Sequence, residues 1–232
     1  MKIAKGFTRK ATGAGLACAV FSLATLGHAT PVTFSSIGDS TTISYTGLVD
    51  IDGVTTPVPD LTAETTFELT NIDGNDFVFS VSVSNTADPG IFQQAELRSI
   101  GFNTNPDVIA ADATDDWEAT LDENFPVGFG FVDVCAFISE PGSCLGGQEG
   151  LGIGANSGFD LILSFAELPD SVTVDNFVVR WFRLTSEELG FEDQSGIGVP
   201  VPVPEPSPLA LLALGLLGMG LLARRRKAGL SA

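Results

Sequence analysis

Lysine is missing from the whole stretch between Thr30 and Pro206, and histidine occurs once in the chain, at His28. Those two gaps exclude Ser-His-Asp and Cys-His pairs, lysine Schiff bases and histidine-ligated zinc from that stretch, because each needs a side chain that is not there. Aromatic residues other than phenylalanine are also scarce, with Tyr45, Trp117 and Trp181 set against 17 Phe. Sugar-stacking platforms favour Trp and Tyr, so Phe at strand spacing reads as core. Cations are the third shortage. Arg98, Arg180 and Arg183 face all 29 acidic residues between Thr30 and Pro206, a formal charge of 3 − 29 = −26. Such a body repels nucleic acid and anionic lipid, stays dispersed by self-repulsion and attracts cations. The ordinary reading is a solvated acidic shell, with specific cation sites as the second.

The remaining basic residues sit at the two ends. Lys2, Lys5, Arg9 and Lys10 precede an apolar stretch from about Ala14 to Leu26, followed by Gly27-His28-Ala29. This is the layout of a signal peptide, with small residues before a signal peptidase cut after Ala29. Cys18 lies inside the apolar run instead of ending it, which fits an ordinary signal residue better than a lipoprotein signal. At the other end, Leu209 to Ala223 is uncharged and includes Leu209, Leu211, Leu212, Leu214, Leu216, Leu217, Leu221 and Leu222. As a helix these residues span roughly 23 Å against a hydrocarbon core of about 30 Å, a marginal crossing that snorkelling at the ends can complete. Arg224, Arg225, Arg226 and Lys227 form a basic stop that favours a cytoplasmic C-terminus, and an N-terminal export signal places the body on the outer side of the inner membrane.

Three features therefore follow one another: Pro204-Glu205-Pro206, a short apolar helix, and the basic run. The triple resembles the PEP-CTERM sorting signal of exported proteins from Gram-negative bacteria that make extracellular polysaccharide. The resemblance implies recognition of Pro204, Glu205 and Pro206 by a membrane-embedded exosortase, which would cut near the motif and release or transfer the body. A permanent C-terminal anchor is the alternative.

Between the ends the apolar signal has period two. Phe77, Phe79, Val81 and Val83 alternate with Ser80, Ser82 and Ser84, which predicts a half-buried strand. Further strands are expected at residues 41–49, 63–72, 96–104, 129–137, 159–165 and 171–185, separated by turn signals such as Asp52-Gly53 and Asp73-Gly74. The segment Ala110–Leu121 is a weak helix candidate. Many short strands punctuated by Gly, Asp and Pro predict an all-β domain, an antiparallel β-sandwich or jelly roll. The expected organisation is a signal peptide at 1–29, a β-domain at 30–195, a Pro-rich linker at 196–206 and a sorting helix with its basic tail at 207–232. The linker alternates Val with Pro, which predicts an extended spacer instead of a helix or central strand.

Few residues remain as candidates for chemistry. Export puts Cys135 and Cys144 in an oxidising compartment, and their spacing across a turn with Pro141 and Gly142 predicts a disulfide. The glycine-rich run 146–158 lacks a P-loop lysine and reads as a flexible loop. Acidic pairs for glycoside hydrolysis or a lyase cannot be picked out without geometry. Calcium ligands are offered by Asp50 and Asp52, by Asn71, Asp73, Asn75 and Asp76, and by Asp112, Asp115 and Asp116. Oxygen-rich Asp and Asn around a glycine suit calcium, yet Asp-Gly is equally an ordinary hairpin turn. Segments such as "LRSIGFNTNPDV" and "FPVGFGFVDVCAF" resemble the cistern family of PEP-CTERM proteins, which implies no activity. The resulting expectation is a non-enzymatic, exosortase-processed surface or matrix protein with a structural or adhesive role in a polysaccharide-rich layer. Calcium-assisted carbohydrate binding is the alternative, and a carboxylate-dependent hydrolase or lyase the remote one.

Overall fold

The strict alternation of Asp76–Asn85 does in three dimensions what a two-residue period requires. Phe77, Phe79, Val81 and Val83 are all buried, while Ser80 and Ser82 are exposed. The structure is a computed structural model that describes residues 30–138, 142–147 and 149–202. The expected signal peptide, Pro204–Pro206, the C-terminal helix and Arg224–Lys227 lie outside the described residues.

Thirteen strands are present among the described residues: β1 (Val32–Phe34), β2 (Ser40–Ile51), β3 (Val54–Asp73), β4 (Asp76–Asn85), β5 (Gln94–Asn105), β6 (Ala110–Ala113), β7 (Trp117–Phe125), β8 (Gly130–Ile138), β9 (Gly142–Ser143), β10 (Gly146–Gly147), β11 (Asn156–Ser164), β12 (Val172–Ser186) and β13 (Phe191–Pro200). The expected all-β class is correct. β9 and β10 pair with each other alone, and the other eleven strands build one antiparallel sheet, with β1 on β12 and the rest in the order β6-β11-β4-β3-β2-β13-β12-β5-β8-β7. It curls until its ends meet. Only residues 114–116 separate β6 from β7, and the Trp117 indole at the start of β7 stacks on Phe159 of β11 at 4.4 Å. Trp117 Nε1 also donates to Ser157 Oγ at 3.1 Å, so the seam is both packed and hydrogen-bonded.

Inside this curl lies the larger core, which includes Phe34, Phe67, Phe79, Phe102, Phe177 and Trp181. Edge-to-face contacts such as Phe34–Phe79 at 5.0 Å and Phe67–Phe102 at 5.5 Å tie strands that are distant in sequence. Each fully buried ring contributes roughly 2–3 kcal/mol relative to exposure. A second, smaller cluster of Leu48, Phe125, Val132, Phe137, Val178 and Ile197 covers Cys135 and Cys144 on the outer face.

Three sequence expectations are corrected. Residues Ala110–Leu121 form β6, a turn and the start of β7 instead of a helix; Asp115 holds the left-handed conformation at φ 59° that the turn needs. The 146–158 run is not a free loop throughout, since Leu151 exchanges two backbone hydrogen bonds with Leu97 and β11 begins at Asn156. A Cβ at Gly150 would come within 2.9 Å of the Leu97 carbonyl. Most consequentially, the linker expected from residue 196 is instead the second half of β13, a central strand paired with β12 on one side and β2 on the other.

The proline rule failed there because Pro200 is the last residue of the strand, opposite Tyr45, while the interior alternates Gly196 and Gly198 with Ile197 and Val199. Gly198 is fixed by crowding. A Cβ there would lie 2.5 Å from Val179 Cγ2 and 2.6 Å from Trp181 Cζ3.

Replacing Gly198 by Ala is therefore expected to cost about 1–3 kcal/mol in chemical unfolding. Gly152→Ala, whose methyl would meet nothing within 4 Å, should stay within about 0.5 kcal/mol of the parent. A second expectation concerns Tyr45, the one tyrosine of the chain, which is buried and shares a 2.9 Å hydrogen bond with Thr65 Oγ1. Burial pushes its phenol above the ordinary value of about 10. The folded state thus keeps a proton that the unfolded chain releases. Stability from Tyr45 is complete below about pH 10 and is lost as pH rises beyond it. Phenolate absorbance should stay flat past pH 10 and rise only as the protein unfolds; a smooth titration in the folded protein near pH 10 would contradict the burial.

Candidate functional site

In β4 the inward-facing phase runs Phe77, Phe79, Val81, Val83 and then Asn85. A carboxamide in an apolar position must find partners, and Asn85 finds four. Its Nδ2 donates to Ala95 O at 2.9 Å and to Leu151 O at 2.8 Å. Its Oδ1 accepts from Ala87 N and from the Trp181 indole Nε1, each at 3.3 Å. The main chain of Asn85 adds bonds to Ala155 and Gly154. One side chain thus joins β4, β5, β12 and the 151–155 segment.

Above it opens a groove of about 900 Å³. Thr86, Gln93, Gln94, Glu96 and Asn156 give it hydroxyl, carboxamide and carboxylate groups, while Pro89 and Phe92 supply apolar wall. Glu96 is its one carboxylate. Glu96 Oε1 accepts from Gln94 Nε2 at 2.7 Å and lies 3.4 Å from Arg183 Nη1. Glycoside hydrolysis uses two facing carboxyl groups, and this groove presents one. Its chemistry suits hydrogen bonding to a neutral polar chain.

On the outer face the other two arginines hold down the stretch that follows Cys144, at Leu145 and Glu149. The expected disulfide is formed, with Cα atoms 6.1 Å apart and both cysteines fully buried. Arg98 Nη1 donates to Glu149 O, Arg180 Nη1 to Leu145 O at 2.6 Å, and Ser99 Oγ to Cys144 O at 3.0 Å. Arg180 also lies 4.2 Å from the centre of the Phe182 ring. Burial lowers the Arg180 pKa to about 10. It lowers that of Arg98 as well, with Glu149 and Glu96 partly offsetting the effect.

The calcium candidates fall at hairpin turns. Asp50 Oδ1 accepts from Gly53 N at 2.7 Å, and Asp52 occupies the left-handed position at φ 54° in the β2–β3 turn. Asn71 and Asp73 lie at the end of β3, Asn75 sits in the turn and Asp76 opens β4, and Asn75 Nδ2 donates to Ala166 O at 3.2 Å. Asp112 Oδ1 accepts from Ala113 N, and Asp115 Oδ2 from Thr114 Oγ1. Among the described residues no group of three or more His, Cys, Asp or Glu comes together to hold a metal ion.

Asn85 and the two buried arginines escaped the sequence reading. The signal for Asn85 was its place in the inward phase of β4. For the arginines it was two of the body's three cations standing in otherwise apolar strands.

Exchange of Asn85 for Ala would take their partners from the Trp181 indole N–H, the Ala87 N–H and the Ala95 carbonyl, at about 1–3 kcal/mol for each buried group left unpaired, while Leu151 O keeps its bond from Leu97 N. We expect a loss of at least about 3 kcal/mol by urea unfolding. Asn85→Asp should be no better, because a carboxylate would face the Ala95 and Leu151 oxygens. A loss below 1 kcal/mol for both variants would show that Asn85 does not tie these strands together.

Compared with known proteins, no curated protein and no solved structure matches this chain, so the cistern-family likeness of the body finds no support. One family model does match, over residues 202–227, and it describes the PEP-CTERM protein-sorting motif. The match begins two residues beyond β13 and includes Pro204, Glu205 and Pro206 with the apolar segment and basic run that follow. The chain carries a PEP-CTERM sorting motif and is in that respect a target of exosortase processing and export.

Proposed function

We propose that this chain is a non-enzymatic exported protein whose β-domain is delivered by exosortase to the cell surface or extracellular matrix, where it serves a structural or adhesive role in a polysaccharide-rich layer. The observation that carries this reading is the junction between fold and motif. Val32 of β1 pairs with Val174 of β12, and Gly198 of β13 pairs with Val179 on the same edge of β12. Both ends of the domain therefore leave through one gap beside residues 175–177. Addresses at the two termini are handled from one side, leaving the opposite face of the sheet free.

The sorting segment also joins a wall strand with almost no spacer. Val201 N still donates to Ser44 O at 2.8 Å, three residues before Pro204. A cut within or after the motif leaves β13 whole, whereas one before Pro200 would remove part of a central strand. Processing and an intact fold are thereby compatible. A carbohydrate-binding role is the second reading, favoured by the carboxamides and hydroxyl of Gln93, Gln94, Asn156 and Thr86 along the groove. Calcium assistance at the turn clusters would be an addition to that role.

Substituting Pro204, Glu205 and Pro206 together by Ala should leave the protein at the inner membrane with its C-terminal Arg224–Lys227 run still present by intact-mass spectrometry. The parent should reach the surface or matrix fraction without that run. Equal mature masses and equal locations for the two forms would defeat the proposal.

A further inference from the structure

Arg98 and Arg180 combine three properties that a purely structural arginine does not need. First, they are brought together by a defect in the sheet. Arg180 pairs with Ser99 and Trp181 with Leu97, so Arg98 is the extra residue of a β-bulge and reaches the same loop as Arg180. Second, they are 1% and 8% exposed, yet neither forms an ion pair among the described residues. Third, among the described residues Arg98 Nε and Nη2 and Arg180 Nε are buried without a hydrogen-bond partner.

The identity of the open atoms matters most. Each Nη1 is spent on a loop carbonyl, which fixes the plane of the guanidinium. On Arg98 the open pair, Nε–H and Nη2–H, is one edge of the planar group. Two parallel donors on that edge match the two oxygens of a carboxylate, sulfate or phosphate. Leaving such donors dry is costly, most of all on a charged group. We propose that Arg98 and Arg180 form a site for a single oxyanion group beside Leu145 and Glu149, next to the Cys135–Cys144 bridge. Arg98 holds the group through its open edge, Arg180 adds a donor from Nε, and Phe182 backs the second guanidinium. The burial of both arginines restricts the ligand to the tip of a molecule or a free ion. The acidic body repels anions at a distance, so contact and not steering makes the selection. Binding should therefore tighten as a non-competing salt shortens the screening length from about 30 Å at 0.01 M to about 8 Å at 0.15 M.

The test is nitrogen-15 NMR of the arginine Nε–H groups in the purified, processed protein, titrated with sodium sulfate, sodium phosphate or sodium glucuronate against sodium chloride at matched ionic strength. Saturable shifts of the Arg98 and Arg180 resonances with an oxyanion, absent with chloride, are expected. Tighter binding of glucuronate would point to an acidic sugar, and tighter binding of sulfate or phosphate to a free ion. Arg98→Lys keeps the charge but loses the paired donors, and should weaken affinity about tenfold or more. The wild-type titration stands even if that variant fails to fold. The proposal is overturned if no oxyanion gives a saturable shift, if Arg98→Lys binds as tightly as the parent, or if shifts emerge only in Glu149→Gln. That last result would mean that a carboxylate of the chain already fills the edge.

Discussion

The carboxamide of Asn85 is the point at which the closed form of this sheet is decided. A curled sheet must bring together strands that are not hydrogen-bonded neighbours, and β4 lies four places from β12 and five from β5 in the strand order. Apolar packing draws them together without fixing which atoms meet. The directed bonds of Asn85 to Ala95, Leu151 and Trp181 supply that specification. Trp181, so oriented, lies over Gly198 and leaves no room for a side chain on that strand. The position of the last strand, and with it the exit point of the sorting motif, follows from a contact made far away in the chain.

Charge is distributed by the same logic. Acidic groups are spread over the outside, where water solvates them and mutual repulsion keeps the bodies apart. Two of the three arginines are drawn inside, against the main-chain oxygens of Leu145 and Glu149. The third, Arg183, pairs with Glu96 at the groove wall. The stretch that follows the disulfide is thereby pinned from beneath by two buried cations.

Much of the fold was legible because its strands are half-buried, and half-burial writes itself as alternation. β2, β4, β5, β8, β11 and β12 coincide with the expected segments to within a few residues. Where both faces are covered, or where glycine replaces a side chain, the pattern disappears. β13 was hidden for that reason: Gly196 and Gly198 carry no apolar signal, and the prolines beyond Pro200 lent the stretch the look of a spacer. β3 kept its signal only in its second half. Its first half, with Pro57 and Pro59, pairs with β2 alone and so can do without their missing donors on the open side. The helix expected at Ala110–Leu121 shows the converse, because short strands joined by a tight turn place apolar residues at spacings that mimic a helix.

The sequence by itself determined the sorting signal, because a PEP-CTERM motif is a run of contiguous residues at 202–227 and can be read without the fold. It also determined the all-β class and the Cys135–Cys144 bridge, since alternation and short-range cysteine spacing are local properties. Tertiary structure alone decided what the polar residues do. Whether Asn85 faces water or a core and whether Arg98 is solvated or buried both depend on segments tens of residues away. Hydrogen bonding and desolvation act through space, and only the closed sheet fixes which groups share that space.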